Sequence, residues 1–144
     1  LVSFGKTQGG GAAETIPTFN EQTGKVGYSV TFDPRMISGQ NDYAVAGAHE
    51  GTHVDDFGNP MFNNPATTLS NFSLEYRGYQ TSVFAASALG FSSFSGNYDG
   101  KKFELWNGSW AQVDRNITRY VTGFHDKNGK QTHPETTPHN PWGN

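Results

Sequence analysis

Two stretches near the N-terminus have the alternation of a β-hairpin. Residues 16–20 and 26–32 are separated by a short interval that contains Gly24, and Pro34 follows the second stretch. Apolar residues occupy every second position of that stretch: Val26, Tyr28, Val30 and Phe32. A period of two is typical of a half-buried strand, and a short interval with a glycine is typical of a hairpin turn. The pattern therefore predicts a hairpin that ends before Pro34.

A helix is predicted over residues 41–57. Either Ser38 or Asn41 could cap its N-terminus, and Gly58 is a suitable stop. Gly51 lies inside this segment, where a glycine costs up to about 1 kcal/mol relative to alanine. Close approach of a neighbouring strand at Gly51 is one explanation for its presence.

A second helix is predicted over residues 70–89, because apolar residues recur there at spacings of three and four. The stripe consists of Phe72, Tyr76, Tyr79, Val83, Ala86 and Gly90. A short hairpin is expected over residues 98–110 and a third helix over 111–121. The elements together predict an α+β fold, with an N-terminal hairpin or small sheet, a first helix and a following helix.

Composition narrows the classes of function. The chain has 144 residues, a net charge of −3 and no cysteine. Lysine and arginine do not cluster as phosphate binding requires, so nucleic acid is not an expected partner. The longest apolar run, residues 83–91, is about half of the roughly 20 residues of a membrane span, so no span is predicted. Without cysteine, histidines and carboxylates are the strong zinc ligands that remain.

The expected organisation has three parts: a linker-like segment over residues 1–15, a folded domain over 16–124 and an irregular tail over 125–144. Residues 6–12 are rich in glycine, and Leu1 stands where an initiator methionine would. Glycine-rich segments behave as flexible linkers. These features predict a piece released from a longer precursor.

The first predicted helix carries the sequence His49-Glu50-Gly51-Thr52-His53. Residues four apart lie on one face of a helix, so both imidazoles can bind one metal ion. Glu50 then lies beside the ion, where a zinc hydrolase needs a general base. A catalytic zinc ion normally has three protein ligands. Glu75, on the second predicted helix, is the leading candidate for the third.

His49, Glu50, His53 and Glu75 resemble the motif of the gluzincin branch of the zincin metallopeptidases. The resemblance covers about residues 41–89 and implies one zinc ion held by the two histidines and Glu75. It also implies hydrolysis of peptide bonds with Glu50 as general base. Where gluzincins often have an acidic residue, four positions after the ligand glutamate, this chain has Tyr79.

The two other zincin branches fit less well. A metzincin would have a glycine and a histidine at the positions of Asp56 and Asn59, and the downstream motif of an aspzincin does not occur.

Two tyrosines of the second predicted helix have alternative interpretations. Tyr76 and Tyr79 fit core aromatics of the stripe, and Tyr79 is also a candidate catalytic hydrogen-bond donor. Asp42 and Asp56 are candidate partners for the ligating histidines. The simpler interpretation of Asp55 and Asp56 is a pair of solvent-exposed carboxylates.

His125, His133 and His139 lie in the polar tail, where histidines are usually solvated, and His125 could stabilise an oxyanion if the tail folds over the cleft. Zincins commonly pair the substrate backbone with an edge strand, for which residues 25–33 are the candidate.

The predicted function is that of a zinc metalloendopeptidase acting on a protein or peptide. The small size and glycine-rich start are similar to C-terminal toxin domains of bacterial polymorphic toxins or secreted effectors. That similarity implies secretion or delivery into a target cell, and a cognate immunity protein as a further partner. A free-standing secreted or processing protease is equally compatible with the motif. Two alternatives of other kinds also remain open: a non-catalytic binding module stabilised by a metal, and a metal-dependent hydrolase of a non-peptide bond.

Overall fold

The computed structural model describes residues 1–59, 69–98 and 101–122. Within these ranges the chain is a small α+β protein, as predicted, with helices and two small sheets. The elements are β1 (Val2–Phe4), β2 (Ala13–Asn20), β3 (Lys25–Phe32), α1 (Gln40–Gly58), α2 (Asn71–Ala88), β4 (Phe94–Tyr98), β5 (Lys101–Trp106), a 3-10 turn (Trp110–Gln112) and α3 (Val113–Thr122). None of the described helices is long and apolar enough to span a membrane.

The contacts divide the described chain into two compact units. Residues 1–59 belong to the N-terminal unit, and residues 69–122 belong to the C-terminal unit. The tail predicted over 125–144, with His125, His133 and His139, lies outside the described residues. The predicted domain boundaries stay a prediction.

The N-terminal unit contains a three-stranded sheet in the order β1-β3-β2. Strands β2 and β3 form the predicted hairpin, with Asn20 opposite Lys25 and with Gly24 at a φ of 66° in the turn. Strand β1 pairs with β3 on its other side, in parallel, so that Val2 lies opposite Val30. The expectation that residues 25–33 form an edge strand is therefore wrong: β3 is the central strand of this sheet, because β1 occupies its second edge.

Strand β1 was not among the predicted elements, and the glycine-rich segment after it makes defined contacts. Thr7 is buried, and its hydroxyl donates to the Gly11 carbonyl oxygen at 2.7 Å. The backbone N–H groups of Gln8 and Gly9 donate to the Glu14 carboxylate at 2.8 and 3.1 Å. Side chains of Thr7 and of Glu14, at the start of β2, thus satisfy backbone groups of this segment.

Helix α1 packs on β2 and β3 through aromatic rings. Phe32 meets Tyr43 edge to face with ring centroids 5.8 Å apart, and Tyr28 stacks on Phe57 at 6.4 Å. These contacts join both ends of the helix to β3. The polar positions of β3 lie on the opposite face of the sheet, where the Thr31 hydroxyl is hydrogen-bonded to Ser3 at 2.9 Å. The predicted alternation of β3 thus separates a helix-packing face from a polar face.

Two expectations for α1 are wrong. Its N-cap is Gly39, which makes no side-chain capping bond, rather than Ser38 or Asn41. Ser38 instead donates to the Asp42 carboxylate at 2.6 Å. No described atom lies within 4 Å of a Cβ built at Gly51, so close approach of a strand does not explain that glycine.

The C-terminal unit is built around α2, β4, β5 and α3. Helix α2 agrees with the prediction to within one residue at each end, and the Ser70 hydroxyl caps it by accepting from the Ser73 N–H at 3.1 Å. A hairpin forms over residues 94–106 rather than over the predicted 98–110, and its strands flank residues 99–100. The buried core consists of Val83, Leu105, Trp106, Val113, Ile117, Tyr120 and Val121.

Candidate metal centre

The two motif histidines lie one turn apart on α1, as their spacing predicted. The ring centroids of His49 and His53 are 4.8 Å apart, and the ring planes are at 82° to each other. His53 is buried, with 7% of its surface exposed. Since both rings project from one face of the helix, a nitrogen of each can point at a common ion.

Two stacking contacts connect His53 to the sheet through Phe57. Its imidazole stacks on Phe57 with centroids 6.1 Å apart and planes at 29°. Phe57 in turn stacks on Tyr28 of β3, at 6.4 Å and 18°. Stacked aromatic rings restrict each other's rotation. The orientation of His53 is therefore coupled to the sheet rather than to the helix alone.

Glu75 completes a group that could hold a metal ion. One nitrogen from each of His49 and His53 and one carboxylate oxygen of Glu75 all lie within 4.8 Å of one another. Two imidazoles and a carboxylate are a donor set that suits divalent metal ions, zinc among them. The three residues could therefore hold a metal ion.

Glu50 lies outside this ligand group and faces the sheet. Its side chain is buried, with 6% of the residue exposed. The hydroxyl of Thr15, on β2, donates to Glu50 Oε2 at 2.7 Å. A buried carboxylate is costly unless it is hydrogen-bonded, and this bond supplies a partner.

Thr15 is the residue that the sequence did not indicate. The predicted strand began at residue 16, whereas β2 begins at Ala13. The available signal was the alternation itself, because Thr15 occupies a helix-facing position of β2.

The aspartates near the motif are in different surroundings. Asp56 is buried, with 2% exposure, while Asp55 is exposed. The solvated reading is thus wrong for Asp56 and confirmed for Asp55. Asp42 is half-buried in the first turn of α1 and accepts the bond from Ser38. That Asp42 and Asp56 are partners of the ligating histidines stays a prediction.

The two tyrosines of α2 pack against the core of the C-terminal unit, as the stripe predicted. Tyr79 meets Tyr120 edge to face with centroids 4.9 Å apart. The Tyr76 hydroxyl donates to the Asp114 carboxylate on α3. Burial, reinforced by that bond, raises the pKa of Tyr76 to about 12. The catalytic role assigned to Tyr79 stays a prediction.

Comparisons of the chain with protein-family models, with curated proteins and with solved structures found no match. The resemblance to gluzincins therefore rests on His49, Glu50, His53 and Glu75 alone. Function has to be argued from the chemistry of these four residues and of the groups around them.

Proposed function

We propose that this chain is a zinc-dependent metalloendopeptidase in which His49, His53 and Glu75 bind the ion and Glu50 is the general base. The proposal is carried by the difference between the two glutamates. Glu75 joins the histidines in the ligand group, whereas the Glu50 carboxylate is buried and hydrogen-bonded to Thr15 outside that group. One carboxylate is thus suited to hold the ion and the other to handle a proton.

When bound, zinc would polarise the scissile carbonyl and lower the pKa of a water ligand to about 7. Glu50 would accept the proton of the attacking water and pass it to the amine of the leaving group. Proton transfer by a positioned side chain contributes roughly 10²- to 10⁴-fold to a rate. Replacement of Glu50 should therefore remove turnover without removing the ligands of the ion.

The position of Glu50 favours a catalytic site over a metal-stabilised binding module. Glu50 is buried, with 6% exposure, and follows directly after His49 in the motif. A structural site has no use for a buried carboxylate next to its ligands, whereas a zinc hydrolase needs one as general base.

The test compares zinc content and peptide-bond cleavage in the wild type, Glu50→Gln and Glu75→Ala. A denatured protein serves as substrate, and new α-amino groups are labelled, because only peptide-bond cleavage creates them. The wild type should bind about one zinc ion per chain and cleave the substrate. Glu50→Gln should keep the zinc without cleavage, and Glu75→Ala should lose the zinc. Glu21→Gln, at an exposed glutamate in the β2–β3 turn, is the matched control and should behave as the wild type.

Other results would change the assignment. Zinc binding that raises stability without cleavage would favour the binding module, and cleavage of a non-peptide ester alone would favour the other hydrolase. Zinc retained at full occupancy in Glu75→Ala would show that Glu75 is not a ligand.

A further inference from the structure

The bond between Thr15 and Glu50 connects residues that are far apart in the sequence. Thr15 Oγ1 lies 2.7 Å from Glu50 Oε2 and 3.4 Å from the backbone oxygen of the same residue. The hydroxyl thus contacts both the side chain and the main chain of one residue of α1. Its carrier, β2, is held in the sheet by continuous pairing with β3.

A hydroxyl is an exception on this face of β2. Side chains alternate along a strand, so the side chains at positions 13, 15, 17 and 19 share a face. The other three positions of this set are occupied by Ala13, Pro17 and Phe19. The single polar side chain among them is the one that contacts Glu50.

Threonine is also suited to hold a carboxylate in one orientation. A glutamate on a helix has three rotatable side-chain bonds, whereas a β-branched threonine on a strand is restricted at χ1. A donor fixed by the sheet therefore favours one orientation of the Glu50 carboxylate. Partners of metal-ligating residues affect activity by about 10- to 100-fold, and we expect an effect of the same order for the partner of a general base.

We infer that Thr15 is the positioning residue of Glu50: its hydroxyl sets the orientation of the carboxylate that accepts the proton of the attacking water. The inference rests on the proposed function, since it assigns Thr15 a role through the general base. The alternative is a purely structural role, in which Thr15 only satisfies the hydrogen-bonding requirement of a buried carboxylate. Loss of a structural role would lower stability alone, whereas loss of a positioning role would also lower kcat in the folded, zinc-loaded protein.

The kinetic test uses Thr15→Val, which keeps the shape of the side chain and removes the hydroxyl. In the zinc-loaded full chain, kcat should fall roughly 10- to 100-fold, with KM within about twofold of the wild type and zinc content unchanged. Thr15→Ser keeps the hydroxyl and should restore most of kcat. Thr31→Val is the matched control, because it removes a hydroxyl bonded to Ser3 on the opposite face of the same sheet, and it should retain the wild-type kcat. If Thr15→Val does not fold, the comparison uses Thr15→Ala, which removes the γ-methyl group together with the hydroxyl.

A second measurement does not depend on turnover. Free energies of unfolding of the full chain without added zinc are measured for the wild type, Thr15→Val, Glu50→Met and the double variant. The two substitutions should not be additive, because each removes the same hydrogen bond. Additive effects would overturn the inference, and so would a Thr15→Val variant with lower stability and unchanged kcat.

The combined results separate the two proposals. If the two substitutions are non-additive but the wild type binds zinc without cleaving the substrate, the contact between Thr15 and Glu50 is retained. The proposed function and the positioning role are then both overturned. Cleavage by the wild type with unchanged kcat in Thr15→Val would overturn the positioning role alone.

Discussion

Gly96 on β4 is the position where one methyl group should do the most damage to the C-terminal unit. A Cβ built on Gly96 would lie 2.4 Å from Cζ, 2.7 Å from Cε2 and 2.8 Å from the hydroxyl oxygen of Tyr120. Non-bonded carbon atoms are normally about 3.5–4.0 Å apart. A Gly96→Ala substitution therefore requires the Tyr120 ring or the β4 backbone to move by about 1 Å.

The ring has little room to move. Tyr120 is 1% exposed, and its ring centroid lies 4.9 Å from that of Tyr79 and 5.7 Å from that of Phe103. Its hydroxyl also donates to the Asn97 carbonyl oxygen at 3.2 Å. Overpacking a core costs about 1–3 kcal/mol, and loss of a hydrogen bond adds about 1 kcal/mol. We expect Gly96→Ala to lower the free energy of unfolding by about 3 kcal/mol.

Urea denaturation followed by tryptophan fluorescence measures this loss, because Trp106 lies in the same buried core. Gly5→Ala is the control, since no described atom lies within 4 Å of a Cβ at Gly5. In a Tyr120→Leu background the shorter side chain should relieve the clash, and the cost of Gly96→Ala should fall to about 1 kcal/mol or less. The reasoning is refuted if Gly96→Ala costs less than about 0.5 kcal/mol, or if its cost is the same in both backgrounds.

Three further predictions concern other parts of the molecule. Gly51→Ala should raise the free energy of unfolding by about 0.5–1 kcal/mol in the same urea assay. Gly51 is exposed inside α1, and a Cβ built there meets no described neighbour beyond its own helix. A loss of stability would contradict this expectation. The hydrogen bond from Arg35 lowers the pKa of Asp33 from 3.8 to about 2. The ionised Asp33 carboxylate therefore stabilises the folded state fully above about pH 4, and this contribution is lost as the pH falls towards 2. The difference in unfolding free energy between the wild type and Arg35→Gln should accordingly shrink over that range, and a constant difference would count against the pair. Tyr76 should ionise near pH 12. Ultraviolet titrations of the wild type and of Tyr76→Phe should therefore differ near pH 12, and a difference near pH 10 would contradict the raised pKa.

The sequence predicted elements best where local signals agreed with one another. Helix α2 has an apolar stripe, a serine cap at Ser70 and Gly90 at a φ of 80° after its end. Helix α1 was also located well, but its cap was wrong because Ser38 bonds to Asp42 instead of to a backbone N–H. A choice between neighbouring capping residues depends on rotamers that the sequence does not reveal.

Long-range pairing was the part that the sequence did not predict. Strand β1 has only three residues, too few for an alternation to be recognised, and it pairs in parallel with a strand more than twenty residues away. Without β1, the hairpin predicts two edge strands, and the expectation that β3 has an open edge is wrong. The error concerns the neighbours of β3 rather than β3 itself, which forms where the alternation placed it.

The same limit applies to the candidate metal centre. The His49 and His53 pair follows from helical spacing, whereas Glu75 was only a candidate on the next predicted helix, because no local pattern connects it to the histidines. The contact between Thr15 and Glu50 spans 35 residues and joins a strand to a helix. Neither the strand pattern nor the helix pattern contains it, because each pattern describes one element at a time.

That contact is nevertheless the strongest physical argument for function. A carboxylate buried against a sheet is less stabilising than an apolar side chain of similar size, even when it is hydrogen-bonded. Glu50 has such a position, with 6% exposure, and Thr15, which donates to its carboxylate, occupies an otherwise apolar face of β2. Gly51, the next residue, weakens the helix without a packing reason among the described residues. Departures from the rules of stable folding tend to occur at functional sites. Two adjacent departures lie directly between the two histidines of a potential metal-binding group, and they support the proposal that α1 has a catalytic role.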